Sequence, residues 1–509
     1  MSELGLLDQA MFKLEVAGMS PMYMCGAFIL ETADSPYPVD SAILADHVAA
    51  CMEEIPLMRR RLVQDPLGIG NLQLVEDPQF DVRNHISCTS LEAPGDYKAL
   101  MAKLGEFSGR RLDLDRPLWQ FEIIDGLKGG RIAIAAHIHH TIMDGKEGLR
   151  VIAAMLSDKP AAGRKPRKQS RHRRVPRGPI SLVGDALREN LRRLYIEAPR
   201  VAWRNAGPIA RAGFRALSKR VSARDQRAVG KSVKVHRTSL NVAPISARRV
   251  VSCLELPLAE VKTLHRAFDC SINDLVLLFS SCALEYYFAR IGEAVDFDLI
   301  AGMPVDVRAK DDTSAGNALS LARVSLHNTI GDIRERLRAI HDETAAIKKT
   351  VRHTGDTAGT EPEIDLKGLE SLVGPVLLDA ASRAIVKFNL LDKATFINLG
   401  ISNVPGNQIP PYCAGARVRT LIPLAPPMDS LALAITVTST SDHLVLTYHG
   451  CAETLGDTEL LVEGARRAFQ SLQKASPRRP GRKVKKPRRP VSGQGARRRS
   501  NKARAPRPG

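Results

Sequence analysis

Three histidines fall within four positions, at 137, 139 and 140, in a chain with 13 histidines among 509 residues. They close the apolar run RIAIAAHIHH (131–140), and Thr141-Ile142-Met143 and the pair Asp144-Gly145 follow. A neutral imidazole titrates near neutral pH, so it can take a proton from a hydroxyl as a general base. A metal centre would need its ligands on one face. Strand alternation instead sends His137 and His139 away from His140, with no fourth ligand evident, so no metal is expected. The bland alternative is a set of core or surface histidines without chemistry.

The surrounding pattern says how the histidines are held. FEIIDGLKGGRIAIAAHIHH reads as a β-hairpin turning at Gly129-Gly130. On its second strand Ile132, Ile134, Ile138 and His140 share one side, and His137 and His139 the other. Asp144-Gly145 supplies turn chemistry, and GLRVIAAML reads as the helix after it. His140 is thereby expected where strand meets loop, with Asp144 just around the corner.

At this length two or more cores are expected, and 44% hydrophobic residues suffice to build them. The net charge of +19 is concentrated in two segments. Residues 159–177 contain nine Lys/Arg and no acid, and residues 474–509 contain fifteen and no acid. Without them the remaining body is slightly acidic. The chain divides into a mixed block 1–158, a basic linker and helical connector 159–237, a second mixed block 238–473, and a basic tail 474–509 expected to be disordered. Within the connector, Leu182, Leu187, Leu191 and Leu194 recur at helical intervals with arginines on other faces. Such a helix either lies on an anionic membrane or packs against the domains. The segment 272–292 carries Asp274, Glu285 and Arg290 and reads as a buried helix, not a membrane span. Acids near the start argue against a signal peptide. Eight cysteines without CxxC spacing argue against a disulfide framework, so a cytoplasmic location is expected.

The pattern His139-His140-x-x-x-Asp144-Gly145 resembles the active-site motif of the chloramphenicol acetyltransferase-like, CoA-dependent acyltransferases. Six further stretches narrow the resemblance to the bacterial wax ester synthase/diacylglycerol acyltransferase family. They are LGLLDQAMFKLE (4–15, with Asp8), RPLWQFEIIDGL (116–127), SINDLVLLF (271–279), MPVDVR (303–308), GNALS (316–320) and SNVPG (402–406), in the expected order. Two stretches depart from the family. Pro21-Met22-Tyr23 stands where members commonly have Met-His, and 311–365 matches loosely.

The resemblance implies an α+β fold of two chloramphenicol acetyltransferase-like halves with a substrate tunnel at their interface. It implies that His140 takes the proton of a lipid hydroxyl, so that the alkoxide attacks an acyl-CoA thioester, giving triacylglycerol from diacylglycerol or a wax ester from a long-chain alcohol. It makes Asn273 an oxyanion donor or a helix cap, and Asp274, Pro117 and Trp119 substrate-side residues. Asp144 would pair with an arginine, Arg59 or secondarily Arg308, to fix the loop. His139 would anchor the strand, and Gly145 would let the backbone approach the thioester. No bound cofactor is implied, since acyl-CoA is a co-substrate. The implied location is peripheral, on the inner face of the cell membrane or on lipid droplets. Two alternatives stay open: a free-standing condensation-type or polyketide-associated acyltransferase, and a non-enzymatic binder using the basic segments on nucleic acid or anionic lipid.

Overall fold

The computed structural model describes residues 2–143, 145–166, 178–201, 203, 235–306, 319–356, 373–393, 395–404, 406 and 411–476. The first part of the chain runs β1 (Ser2–Glu3), α1 (Leu6–Val16), β2 (Tyr23–Glu31), α2 (Ser41–Glu53), β3 (Arg60–Val63), β4 (Gln73–Glu76), β5 (Ile86–Ser90), α3 (Tyr97–Gly109), β6 (Trp119–Leu127), β7 (Arg131–His139) and α4 (Gly145–Met155). The connector forms α5 (Pro179–Arg192), which continues into a π-helical turn, Arg193–Glu197. The remainder runs β8 (Arg249–Pro257), α6 (Leu258–Ala267), α7 (Ile272–Ile291), β9 (Ile300–Asp306), β10 (Leu319–Ser325), α8 (Ile333–Asp356), α9 (Pro375–Lys387), α10 (Leu390–Lys393), β11 (Leu399–Val404), β12 (Tyr412–Cys413), β13 (Ala416–Leu424), β14 (Leu433–Ser439), β15 (His443–Cys451), α11 (Ala452–Leu455) and α12 (Glu459–Ala475). The last helix passes two residues beyond the boundary expected at 473, and the rest of the basic tail lies outside the described residues.

Each half is built on a six-stranded sheet. The first has the order β12-β13-β2-β7-β6-β5, the second β10-β9-β11-β14-β15-β8, and a small sheet β1-β4-β3 stands beside the first. The expected hairpin is present as β6 and β7, with Trp119 opposite Ile138 and Ile123 opposite Ile134. The expected division at 237/238 is one of sequence and not of sheets. Strand β13 leaves the second half and pairs antiparallel with β2, Ile422 opposite Ala27, so the later chain completes the earlier sheet.

Strand β7 is buried on both faces, which explains its unbroken apolar composition. Ile132, Ile134 and Ile138 enter a core with Leu44, Val48, Trp119 and Phe121. On the opposite face Ala133 and Ala135 are small, so α3 settles against the sheet through Leu100, Leu104 and Phe107. Helix α7 is buried over most of Asp274–Leu284 because the second core encloses that stretch, as expected for 272–292, and it emerges at Glu285, Ala289 and Arg290. No single described helix is long and apolar enough to cross a membrane.

The halves meet where α3 lies on β8, and two glycines four residues apart permit the approach. A Cβ on Gly105 would stand 2.7 Å from the Arg249 carbonyl oxygen, and one on Gly109 would stand 2.5 Å from that of Ala247. Both neighbours are backbone atoms that cannot rotate away. Gly105→Val is expected to destabilise the protein by about 1–3 kcal/mol through overpacking. Denaturant unfolding should show a lower midpoint, and an unchanged midpoint would contradict this close-packed seam.

Candidate active site

The end of β7 is pinned from both sides. The His139 N–H donates to the Leu118 carbonyl and the His140 N–H to the Met22 carbonyl, each at 3.0 Å. The chain then turns through a single 3-10 turn, His140–Ile142, and α4 begins at Gly145. His140 is half-buried at this junction, where its position after the apolar strand predicts it. Asp144 and Arg308 lie outside the described residues. Arg59 ends the short turn Pro56–Arg59 and reaches Glu76 at 3.6 Å.

His139 is fully buried, and its protonation follows from its neighbours. The Thr141 backbone N–H can only donate, and it stands 3.0 Å from His139 Nδ1, which therefore accepts. The ring proton is on Nε2, which donates to Glu15 Oε2 at 2.6 Å. The other Glu15 oxygen accepts from the Tyr23 hydroxyl at 2.9 Å, and that hydroxyl accepts from the Leu112 N–H at 3.3 Å. Burial and the Glu15 charge push the Tyr23 phenol well above its ordinary range, so it stays a donor. Thr141 Oγ1 donates to the Asp8 carbonyl at 3.2 Å. Helix α1 thus holds both residues that flank His140. His139 anchors more than its strand, because it also fixes the turn that presents the next residue.

Glu15 and Tyr23 are the members of this hydrogen-bond network that motif reading passes over. Both stood in segments singled out for other reasons, the LGLLDQAMFKLE signature and the Pro21-Met22-Tyr23 departure. A carboxylate on the helix face shared with Phe12 was the available signal, since an acid is seldom buried without a partner.

The Pro117-Leu118-Trp119 segment works through the strand. Pro117 and Trp119 border a small cavity of about 160 Å³, but the Trp119 side chain is fully buried. Its indole N–H donates to the Met58 carbonyl at 2.7 Å, and its ring stacks on His85 at 4.4 Å. The same segment provides the Leu118 carbonyl that holds His139.

Asn273 and Asp274 occupy the first turn of α7. Ser271 is the N-cap, and its side chain and that of Asp274 form a reciprocal capping box. The Asp274 carboxylate also accepts from His341 Nδ1 and from the Thr344 hydroxyl, each at 2.8 Å. Burial opposes its ionisation, but the His341, Ser271 and Thr344 hydrogen bonds prevail and hold its pKa below the ordinary range. Asp274 is therefore a buried cap that ties α7 to α8, whereas Asn273 is half-buried beside it. Among the described residues no group of three or more His, Cys, Asp or Glu could hold a metal ion.

Two more histidines lie at the seam. His137 packs edge-on against Tyr23 at 4.4 Å and Phe107 at 5.4 Å, and burial pushes its pKa down to about 3. His449 of β15 donates from Nδ1 to the Ala425 carbonyl at 2.8 Å, so Nε2 accepts from Ser108 of α3 at 3.1 Å. Burial pushes His449 down to about 4. Both rings are neutral at physiological pH and link the packing of the halves to β7.

Two outcomes are expected from this arrangement. Glu15→Ala strands the His139 N–H and the Tyr23 hydroxyl in the core, at a cost of about 1–3 kcal/mol for each buried group left unsatisfied. Turnover should fall at least tenfold, roughly, because His140 loses its fixed presentation. Glu15→Gln, which keeps a carbonyl acceptor, should retain more of both. The second outcome concerns acid. His137 and His449 have native pKa values below the unfolded value of about 6.5, so the unfolded chain binds protons that the native chain refuses. Stability is complete above that value and falls as the pH drops towards 4. Buried His47 and His85 act in the same sense, and His327, raised by its hydrogen bond to Glu343, in the opposite one. Unfolding free energies measured across this range should fall with pH, with a shallower slope in His137→Phe.

The sequence matches the wax ester synthase/diacylglycerol acyltransferase catalytic domain over residues 4–276 and the C-terminal domain of the same family over residues 315–473. Two Mycobacterium tuberculosis proteins assigned by name as diacylglycerol O-acyltransferases are 28% and 30% identical to it. The alignments cover 84% and 83% of this chain and 89% and 86% of theirs. The solved wax ester synthase/diacylglycerol acyltransferase of Marinobacter aquaeolei VT8 superposes with a TM-score of 0.66 at 22% identity, covering 93% of this chain and all of that one. The two-halved α+β fold is thereby shared with a solved member, and the acyltransferase motif stands at the end of the central strand. The chain belongs to the wax ester synthase/diacylglycerol acyltransferase family of acyltransferases.

Proposed function

We propose that the protein transfers a long-chain acyl group from acyl-CoA to the hydroxyl of diacylglycerol, forming triacylglycerol, and that it also accepts long-chain alcohols. The supporting observation is the presentation of His140, half-buried at the end of β7, with its turn held by the Glu15–His139–Thr141 hydrogen bonds. In this reading His140 takes the hydroxyl proton as the alkoxide oxygen bonds to the thioester carbonyl carbon. The tetrahedral intermediate collapses with cleavage of the carbon–sulfur bond, and the departing thiolate recovers the proton from the imidazolium. The developing oxyanion needs a donor, and the Asn273 amide is our candidate, with Asp274 rigidifying the helix start that carries it. In the same reading Asp144 would hold its loop through Arg59, which also reaches Glu76, and Gly145 would leave room for the thioester. The acceptors partition into membranes, so the protein works at the inner face of the membrane or on lipid droplets.

The test is acyl transfer by the purified protein from palmitoyl-CoA to diacylglycerol or hexadecanol, read as free thiol and lipid product. His140→Ala should lose roughly two to four orders of magnitude in turnover while keeping its unfolding midpoint. Asn273→Ala should lower kcat more than it raises KM. Absence of product with both alcohols would exclude this reading. Undiminished activity in folded His140→Ala would exclude His140 as the base.

A further inference from the structure

The connector helix α5 turns its apolar residues outward. Ile180, Leu187, Leu191, Leu194 and Tyr195 are 89, 51, 56, 62 and 70% exposed, and Trp203 beyond them is 85% exposed. Ile180, Leu187 and Leu191 follow each other at seven- and four-residue steps and so lie on one face. The adjoining face is held to the body by buried Ala186 and by Asn190, whose amide donates to the Ile69 carbonyl at 2.9 Å. Ile180, Leu187 and Leu194 face solvent, and Leu191 and Tyr195, though more than half exposed, also border a cleft of about 710 Å³ between the helix and the β3–β4 hairpin.

Charge is sorted in the same sense. Arg188 and Arg200 are exposed, and exposed Arg192 pairs with half-buried Glu189 at 3.7 Å and Glu197 at 3.1 Å. The sequence on either side adds to this bias. Residues 159–177 contain nine Lys/Arg and no acid, and residues 204–234 contain nine and one acid. An exposed apolar stripe edged by arginines, with an indole at one end, is the pattern of a helix lying in the plane of an anionic lipid surface. A protein partner would cover the leucines equally well, but it would not call for the excess of cations in the flanking sequence.

We propose that α5 and its continuation to Trp203 form the membrane-docking element, inserting Leu187, Leu191, Leu194, Tyr195 and Trp203 into an anionic phospholipid bilayer with the arginines at headgroup level. This rests on the reading that the acceptor is a membrane-dissolved lipid, and it adds which surface meets the membrane.

Trp203 makes the proposal measurable, because the only other tryptophan, Trp119, is fully buried. The full-length protein is titrated with mixed phosphatidylcholine–phosphatidylglycerol vesicles, and tryptophan emission and sedimentation with the vesicles are followed. Emission is expected to move to the blue and to become shielded from a soluble quencher, and Trp203→Phe should remove that change. Combined Leu187→Gln, Leu191→Gln and Leu194→Gln replacements keep helix propensity and should weaken partitioning by about tenfold or more. The same variant should keep wild-type transfer from a short-chain acyl-CoA to a short-chain, water-soluble alcohol. Binding by wild type with no change at Trp203, or equal binding by the glutamine variant, would overturn the proposal. Binding to duplex DNA but not to vesicles would also overturn it. If vesicles bind as expected but wild type transfers no acyl group to any alcohol, the acyl-transfer reading fails and the docking element stands.

Discussion

The active end of the first sheet depends on one buried ion, the Glu15 carboxylate between α1 and β7. A charge removed from water is tolerated only when its oxygens are satisfied, and here a histidine N–H and a tyrosine hydroxyl satisfy them. That requirement fixes the tautomer of His139, leaves its Nδ1 to accept from Thr141, and so sets the turn on which His140 rides. Replacing the acid with an apolar residue would leave two donors without partners. The family motif, which begins at His139, is therefore completed by a residue 124 positions earlier.

Helix α1 is itself held from several directions, so the carboxylate is presented rigidly. Gln9 accepts from the Leu72 N–H at 3.3 Å, and Lys13 donates to Gln64 at 2.8 Å and pairs with Asp379 of α9 at 3.5 Å. The last contact runs from the first half to the second. The chain exchange of β13 and the glycine-lined approach of α3 to β8 bind the halves further. Ser108 and His449 complete the seam with a hydrogen bond between neutral groups, which carries no desolvated charge. The first sheet thus needs the later half of the chain in order to be complete, and neither six-stranded unit is an independent module.

The working end of the protein and its proposed lipid-facing helix lie on opposite sides of the same organisational problem. The turn that carries His140, in the proposed role of a base, has to be rigid and partly shielded from water, which calls for satisfied polar groups and dense packing. A surface that meets a bilayer has to keep apolar side chains exposed in the folded state, which a helix docked along only one face achieves. The connector joins the two halves in sequence and can carry such a face because neither core requires it.

Periodicity and turn chemistry alone identified the β6–β7 hairpin, the strand-end position of His140, the helix after Gly145 and the largely buried α7. Each of these is decided by residues close in sequence, through alternation, glycine turns and the apolar stretch of a helix. The motifs determined the family in the same local way. Tertiary structure decided what the motifs do. Trp119, expected on the substrate side, is a core residue whose segment clamps β7, because its indole finds a carbonyl only at Met58. Asp274 is spent on a helix cap and on α8, and Glu15 and Tyr23 enter the site from elements that no spacing rule connects to His139. Pairing of β13 with β2 was equally invisible, since any apolar strand of suitable length could fill that edge. Local sequence specifies elements and their faces. Which buried polar group meets which partner is settled only when distant segments are packed together and every donor must find an acceptor.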